Sequence, residues 1–258
     1  MDTMSDLTRK IADSVSRVNT STPPSPPKPY TGVCKPDCEI CGGIGWIRQD
    51  LPVGDPGFGK AQLCPNVDLF THYKGRSGLE SDERDLSWSN IADFNGVGKA
   101  VEAVQTVVEL GFGWIFLWGD FGLAKSLILK TAVSSYIRER KEPASYVRMA
   151  ELLDHLRSAY DSSNPSEDSQ ARLDFWSTIP LLCIDEFDRV RETAYASERR
   201  FVLMDRRYEK ACGRKNITIM ASNSDPALID GYLRDRIFDG RFKVIKLVGK
   251  SARPMMSY

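Results

Sequence analysis

The chain has 258 residues, of which 41% are hydrophobic, so it is long enough for one α/β domain and a small additional module. Lysine plus arginine and aspartate plus glutamate number 35 each, which excludes a globally basic nucleic-acid-binding protein and limits any DNA contact to a local patch. We expect a cytoplasmic protein with no membrane partner, because the sequence has no apolar window of membrane-spanning length and no signal-peptide core.

Residues 1–31 are predicted to form a short helix followed by a linker. Leu7, Ile11 and Val15 recur on one stripe of a weakly amphipathic segment that covers residues 5–18. This helix is either a partner-docking element or a frayed tail. Residues 19–29 are rich in proline, which predicts an extended linker.

Residues 32–74 contain cysteines with the spacing of a metal site. Three residues separate Cys34 from Cys38, two more precede Cys41, and Cys64 follows at a distance. Clustered thiols in a reducing cytoplasm bind metal more often than they pair, and this set suits tetrahedral Zn²⁺. With four protein ligands the Zn²⁺ would be structural, since no coordination position remains for catalysis. The alternatives are four unrelated free cysteines, or His72 as a substitute ligand rather than an ordinary surface histidine.

Glycines directly after Cys41 permit positive φ angles, so backbone N–H groups can turn toward the sulfurs. Between the two halves of the metal site, Ile44–Arg48 and the glycine- and proline-rich stretch to Gly59 predict a short β-hairpin. So small a segment has no other means of holding a fold. The charged, glycine-containing residues 75–85 are a plausible boundary, and we expect the second domain to cover residues 86–258.

Strand and helix patterns alternate through this second domain. A helix is predicted over residues 97–110, and the polar residues 161–170 are predicted to be a loop. Such alternation predicts a parallel five-stranded sheet with helices on both faces. The predicted strands are 114–118, 145–149, 179–184, 216–221 and 242–247.

The residues between the first of these strands and the next helical pattern form a nearly complete phosphate-binding loop. The pattern G-x-x-x-x-G-K-[ST] places backbone N–H groups and a helix N-terminus around phosphates. Lys125 would reach the β- and γ-phosphates of ATP, and the hydroxyl of Ser126 would help to hold Mg²⁺. The predicted nucleotide-binding residues of this loop are Gly119, Asp120, Phe121, Gly122, Leu123, Ala124, Lys125 and Ser126.

Ala124 occupies the position where this pattern has its second glycine. A non-glycine residue in a sparsely populated backbone region costs about 1–3 kcal/mol. That cost weakens nucleotide affinity by roughly ten- to a hundredfold, which predicts weak ATP·Mg²⁺ binding and slow hydrolysis rather than none.

Two further apolar strands deliver polar residues at their C-terminal ends, where ligands bind in open parallel sheets. Asp185 and Glu186 follow the run that begins at Ile179. Asp185 is expected to organise the Mg²⁺ shell, and Glu186 to orient or deprotonate the attacking water. Asn223 ends the strand that begins at Ile217, and its amide can position the same water.

This succession of motifs resembles the AAA+ superfamily, specifically the DnaC/DnaI-type replicative helicase loaders and the related IstB-type transposition ATPases. The resemblance covers roughly residues 87–253. It implies a Walker A motif at Gly119–Ser126, a Walker B motif at Cys183–Glu186 and a sensor-1 residue at Asn223. It also implies an arginine finger at Arg236 that acts on a neighbouring subunit, and a sensor-2 residue at Arg253. The short segment after Arg253 is expected to leave no room for a full C-terminal helical lid.

The resemblance implies an ATP-dependent loader of a replicative hexameric DNA helicase, which binds ATP at subunit interfaces of a homo-oligomer and contacts single-stranded DNA. The cysteine module favours this function, because some loaders carry an N-terminal zinc-binding domain and IstB-type proteins usually do not. The alternatives are a transposition ATPase that coats duplex DNA, and a nucleotide-insensitive adaptor. One helix is a candidate DNA contact, although a solvated or intersubunit face is an equal alternative; its basic residues are Arg199, Arg200, Arg206, Arg207 and Lys210.

Overall fold

The computed structural model describes residues 34–74, 76–91, 96–161, 164–229, 231–249 and 251. The predicted N-terminal helix and linker, and Arg253, lie outside these residues. The chain divides between Val67 and Asp68 into two compact units, termed the first unit (residues 1–67) and the second unit (residues 68–258). Within the described residues, no helix combines the length and apolarity needed to cross a bilayer.

The first unit contains an antiparallel hairpin of two short strands, β1 (Trp46–Arg48) and β2 (Ala61–Leu63), in which Trp46 pairs with Leu63. The predicted hairpin is therefore present, and its second strand begins just after Gly59. Apart from glycines, the described residues that this unit buries are its four cysteines and Val67. The unit has almost no hydrocarbon core, so apolar burial alone gives it little stability.

The second unit is built around a five-stranded parallel sheet. Its strands are β3 (Gly113–Trp118), β4 (Ala144–Arg148), β5 (Leu181–Asp185), β6 (Ile217–Ser222) and β7 (Lys243–Lys246). Their order in the sheet is β4-β5-β6-β3-β7, so β6 lies between β3, which carries the phosphate-binding loop, and β5, which ends at Asp185. The bounds agree with the predicted strands to within two residues at each end, so the predicted sheet is confirmed.

Helices cover both faces of this sheet, because side chains alternate between the faces along each strand. The helices are α1 (Leu69–Lys74), α2 (Gly98–Leu110), α3 (Lys125–Arg140), α4 (Met149–Arg157), α5 (Pro165–Thr178), α6 (Ala194–Cys212) and α7 (Gly231–Ile237). In β3, Ile115 and Leu117 join one hydrophobic cluster with α2 and α3, whereas Trp114 and Phe116 join a second with α4 to α7.

The loop predicted over residues 161–170 is wrong in its second half, where α5 begins at Pro165. Proline is favoured in the first turn of a helix, where its missing N–H costs nothing. Glu167 and Asp168 add negative charge to the same turn, which stabilises the helix dipole. These start signals outweigh the polar composition from which the loop was predicted.

The outer edge of the sheet at β4 is covered by the segment that precedes α2. The N–H of Tyr146 donates a hydrogen bond to the carbonyl oxygen of Ser77 at 2.7 Å. Gly78 follows with φ 74°, and a Cβ at this position would lie 2.1 Å from the carbonyl oxygen of Tyr146. Only glycine permits so close an approach, so the cover depends on this residue.

Helix α6, the candidate DNA contact, does not present all of its basic residues to solvent. Arg207 is fully buried, and its guanidinium donates to the hydroxyl of Thr218 at 2.8 Å and to the carbonyl oxygens of Trp176 at 2.8 Å and Ile217 at 2.6 Å. Burial lowers its pKa to about 9, which still leaves it protonated at neutral pH. Arg207 is therefore a structural residue, and its prediction as a DNA contact is wrong. Three others form ion pairs, namely Arg199 with Glu198, Arg200 with Glu192, and Arg206 with Asp174.

We expect Arg207→Ala to lower the free energy of unfolding by about 3 kcal/mol or more, because it leaves a cavity and removes the donor to several buried acceptors. The control is Arg206→Ala, which breaks only a partly exposed ion pair with Asp174 and should cost less than about 1 kcal/mol. Urea denaturation of both variants measures the difference. Equal losses of stability would contradict the structural role of Arg207.

Candidate functional site

The phosphate-binding loop joins β3 to α3 and is packed against the segment that follows β7. Gly119 has φ 142° and Gly122 has φ 79°. A Cβ on Gly119 would lie 2.4 Å from the carbonyl oxygen of Leu247, and a Cβ on Gly122 would lie 2.1 Å from the Oγ of Ser251. Both positions therefore require glycine, as the motif predicts.

Ala124 adopts φ 54° and ψ 17°, in the left-handed helical region, immediately before the first residue of α3. This conformation costs an L-residue with a Cβ about 1–2 kcal/mol. The expectation that this position demands an unfavourable backbone conformation of alanine is confirmed. The residue is nevertheless buried in the core cluster of its face of the sheet, so the packing around it maintains the strained conformation.

We expect Ala124→Gly to bind ATP·Mg²⁺ about tenfold more tightly than the wild type, because glycine relieves the strain. The control is Lys141→Gly, which relaxes a second left-handed residue, φ 56°, at the opposite end of α3 and should leave the affinity unchanged. Calorimetric titration of ATP into both variants makes the comparison. Equal affinity of the wild type and Ala124→Gly would show that this strain does not limit binding.

Lys125 and the start of α3 have the geometry of an anion site. The Nζ of Lys125 donates hydrogen bonds to the carbonyl oxygens of Gly119 at 2.7 Å and Asp120 at 2.8 Å, and these bonds hold the buried ammonium group at the loop. No side chain caps the helix at Ala124, and its first turn contains no acidic residue. Such an N-terminus suits phosphate oxygens, because its N–H groups and the helix dipole attract negative charge.

Asp185 ends β5 and is held from two sides. Its Oδ2 accepts a hydrogen bond from the hydroxyl of Tyr146 at 2.7 Å, and its Oδ1 accepts one from the N–H of Glu186 at 2.8 Å. Burial and the negative charge of Asp185 raise the pKa of Tyr146, so the tyrosine remains a donor at neutral pH. These two hydrogen bonds, both from groups of the protein, orient the Asp185 carboxylate. Sequence analysis did not identify Tyr146, because only the pairing of β4 with β5 brings it to Asp185.

Glu186 is tied to the phosphate-binding loop through an arginine that sequence analysis also missed. Glu186 has φ 48°, and its carboxylate pairs with Arg189 at 3.1 Å. The guanidinium carbon of Arg189 lies 5.4 Å from the ring centroid of Phe121. Sequence spacing contained a signal for this pair, since residues three apart on a turn or helix are neighbours. The carboxylate of Glu186 is therefore engaged in an ion pair with Arg189.

Most of the predicted nucleotide-binding residues line one cavity of about 620 Å³, a volume within the range of small-molecule sites, whereas Gly119 and Asp120 do not line it. Arg189 and Lys130 add positive charge to the cavity, and Asp82 and Glu83 add negative charge. The predicted residues that line it are Phe121, Gly122, Leu123, Ala124, Lys125, Ser126, Asp185, Glu186 and Asn223.

Arg236, the predicted arginine finger, does not line this cavity. Its guanidinium donates to the Oδ1 of Asp205 at 2.6 and 3.0 Å, and a further hydrogen bond joins it to the hydroxyl of Tyr232. It also lies over two aromatic rings, 3.9 Å from the centroid of Tyr232 and 4.4 Å from that of Tyr208. Arg236 is thus held away from the nucleotide cavity of its own chain.

The predicted zinc ligands form a compact cluster. The sulfur atoms of Cys34, Cys38, Cys41 and Cys64 lie within 4.8 Å of one another and all four residues are buried. Those of Cys38 and Cys64 are 3.7 Å apart. Tetrahedral Zn²⁺ with Zn–S bonds of about 2.3 Å places its sulfurs about 3.8 Å apart, so the cluster fits this ion. His72, the alternative ligand, is not in the group; it belongs to the second unit, where it is buried rather than at the surface.

The backbone around the cluster supports thiolate ligands. The N–H of Gly45, which has φ 77°, donates a hydrogen bond to the Sγ of Cys41 at 3.2 Å. Backbone N–H groups of Cys41 and Ile40 lower the pKa of Cys38 to about 6, whereas burial and the neighbouring thiols raise the pKa of Cys34 to about 12. A divalent cation is the group that stabilises all four as thiolates.

Comparison with known proteins identifies the fold. Neither a protein-family model nor a curated protein matches the sequence. Among solved structures, domain III of DnaA from Thermotoga maritima is similar with a TM-score of 0.55 and 16% identity, over 69% of this chain and 71% of that one. DnaI is similar with a TM-score of 0.52 and 15% identity, over 67% of this chain and 96% of that one.

AMPPCP-bound DnaA from Aquifex aeolicus is similar with a TM-score of 0.51 and 18% identity, over 59% of this chain. The chain spans about half the length of that protein, 46%. Together with the strand order and the position of the phosphate-binding loop, these similarities show that the second unit has the fold of an AAA+ P-loop core. The fold expected from the sequence is confirmed.

Proposed function

We propose that the chain is an ATP-dependent loader of a replicative hexameric DNA helicase. In this proposal, copies of the chain form an oligomer that binds ATP·Mg²⁺ at its subunit interfaces and also binds single-stranded DNA. The observation that carries the nucleotide part of this proposal is the convergence of the motif residues on one cavity. Lys125 and Ser126 enter it from the start of α3, and Asp185 and Asn223 from the ends of β5 and β6.

Each of these residues has a distinct role in the proposed reaction. Lys125 binds the β- and γ-phosphates, while the Ser126 hydroxyl and the Asp185 carboxylate hold Mg²⁺, which neutralises charge on the phosphates. Glu186 orients the attacking water or accepts its proton, and Asn223 positions the same water. Arg236 is proposed to stabilise the charge of the transition state at the nucleotide of a neighbouring subunit. Arg253 is proposed to be the sensor-2 residue.

The loader part of the proposal is supported by the first unit and by the similarity of the second unit to DnaI. The first unit combines a cysteine cluster that fits Zn²⁺ with several exposed apolar side chains. The exposed side chains include Ile40, Ile44 and Val53, which are 51%, 60% and 87% accessible. Exposed apolar side chains in so small a unit are suited to docking on another protein.

The test is a pull-down of the replicative helicase of the organism that carries this gene, with the full chain as bait and with ATP or no nucleotide. We expect a stable complex that assembles the helicase on circular single-stranded DNA only with ATP. Lys125→Ala should retain the complex and lose loading. Ile44→Ser should weaken the complex and leave ATP affinity unchanged, because residue 44 is outside the nucleotide cavity. Failure to bind the helicase in any nucleotide state overturns the loader proposal.

A nucleotide-insensitive adaptor is the second candidate, and it is motivated by two features of the site. Ala124 strains the phosphate-binding loop, and Arg189 occupies the carboxylate of Glu186. An adaptor would bind the helicase equally with and without ATP, and the wild type would show no ATP binding at millimolar concentration even with helicase and DNA present.

A further inference from the structure

Asp188 joins the loop after β5 to the loop after β6. Its Oδ1 accepts a hydrogen bond from the N–H of Asn223 at 3.3 Å. Its Oδ2 accepts one from the N–H of Ser224 at 3.1 Å and another from the Ser224 hydroxyl at 2.6 Å. One carboxylate therefore fixes two consecutive residues of the other loop.

We infer that Asp188 is a positioning residue that holds the side chain of Asn223 in the nucleotide cavity. Asn223 lines that cavity, whereas Asp188 and Ser224 line a second cavity of about 650 Å³. Asp188 therefore acts through the backbone of Asn223 and not by contact with the nucleotide. The inference rests on the proposed nucleotide-binding function.

The hydrogen bonds that Asp188 accepts from Asn223 and Ser224 require a carboxylate. The N–H of Phe187 donates to the carbonyl oxygen of Ala221 at 2.9 Å, so the residue before Asp188 is itself attached to β6. Burial opposes ionisation of Asp188, but hydrogen bonds from Ser224 and Asn223 hold its pKa below the ordinary value, and it is charged at neutral pH. An asparagine at this position has one acceptor oxygen in place of two, and its NH₂ group can face N–H donors.

The test measures how well the full-length protein distinguishes AMPPCP from ADP, by calorimetry with Mg²⁺ present. The wild type is expected to prefer AMPPCP, because the proposed function assigns Asn223 to the water that attacks the γ-phosphate. Asp188→Asn should reduce this preference by about tenfold, as expected for loss of one hydrogen bond to a charged group, and leave ADP affinity within about twofold. Asn223→Ala should have the same effect.

The double variant Asp188→Asn/Asn223→Ala distinguishes positioning from general destabilisation. If Asp188 acts through Asn223, the double variant should have the same preference for AMPPCP over ADP as Asn223→Ala alone. The matched control is Asp225→Asn, which removes a carboxylate from the loop after β6. That carboxylate accepts a hydrogen bond from the N–H of Ala227 at 2.8 Å. This control should keep the preference of the wild type.

Each contrary result has a separate meaning. If the wild type binds neither nucleotide, the proposed function fails and the inference fails with it. If the wild type binds both without preference, or if Asp188→Asn keeps the preference, nucleotide binding stands and the inference is overturned. The inference is also overturned if the two substitutions reduce the preference for AMPPCP independently in the double variant. It is overturned as well if Asp188→Asn loses as much affinity for ADP as for AMPPCP.

Discussion

Removal of Zn²⁺ with a chelator is expected to unfold residues 34–64 and to leave the second unit folded. Zinc binding supplies on the order of 10 kcal/mol of folding free energy in small modules of this kind. The described part of the first unit has no other source of that magnitude, since its buried side chains are the four cysteines and Val67. Its two strands have only three residues each and cannot hold the fold alone.

Elemental analysis and hydrogen exchange check this expectation. The purified protein should contain one zinc per chain, and chelation should abolish amide protection in the first unit alone. Cys64→Ser should lose the metal, whereas Cys212→Ser, which alters a half-buried thiol at the end of α6, should keep it. Well under one zinc per chain in the wild type would contradict the metal assignment.

Substitution of Arg236 by alanine is expected to lower ATP turnover by ~10³-fold or more, the contribution typical of an arginine finger. Nucleotide binding by an isolated subunit should survive, because Arg236 lies outside the cavity of its own chain. The control on the same helix is Arg234→Ala, which removes an exposed side chain bonded to the carbonyl oxygen of Ala227. If Arg236 acts on a neighbouring subunit, it must leave Asp205, and the phosphate would then compete with this carboxylate for the guanidinium group.

Mixing two inactive variants provides the decisive measurement. Arg236→Ala retains a complete nucleotide cavity and Lys125→Ala retains Arg236, so a mixed oligomer would contain some interfaces in which both are intact. We expect turnover to reappear on mixing. No recovery, together with a loss of ATP affinity in monomeric Arg236→Ala as large as in Lys125→Ala, would show that Arg236 supports its own subunit.

The sheet and the motif residues were predictable because both depend on local sequence. The strand 114–118 is a continuous apolar run, as expected for a strand buried on both faces, and the loop after it follows a fixed pattern. Helix α5 was missed in part because it is mostly polar; its buried residues are Leu173, Trp176 and Ser177. Its start signals, rather than its hydrophobic pattern, reveal it.

The contacts that orient the motif residues could not be predicted in the same way. Tyr146 reaches Asp185 because two strands are adjacent in the sheet, although the residues are far apart in sequence. Helical periodicity also could not predict that Arg207 is buried while Arg206 is partly exposed. The pattern shows which face of the helix is apolar, but it does not show which arginine at the edge of that face points inward. Arg207 turns inward because the carbonyl groups at the end of α5 need donors.

The segment at Ser77 and Gly78 has a consequence for aggregation. An uncovered edge strand presents N–H and C=O groups that can pair with the edge of another molecule. At β4 this risk is suppressed, because Ser77 occupies the N–H of Tyr146 and Gly78 lies against the carbonyl oxygen of the same residue. A fragment that began at residue 86, the boundary predicted from composition, would lack this protection. A fragment of the second unit that keeps this edge covered must therefore include Ser77.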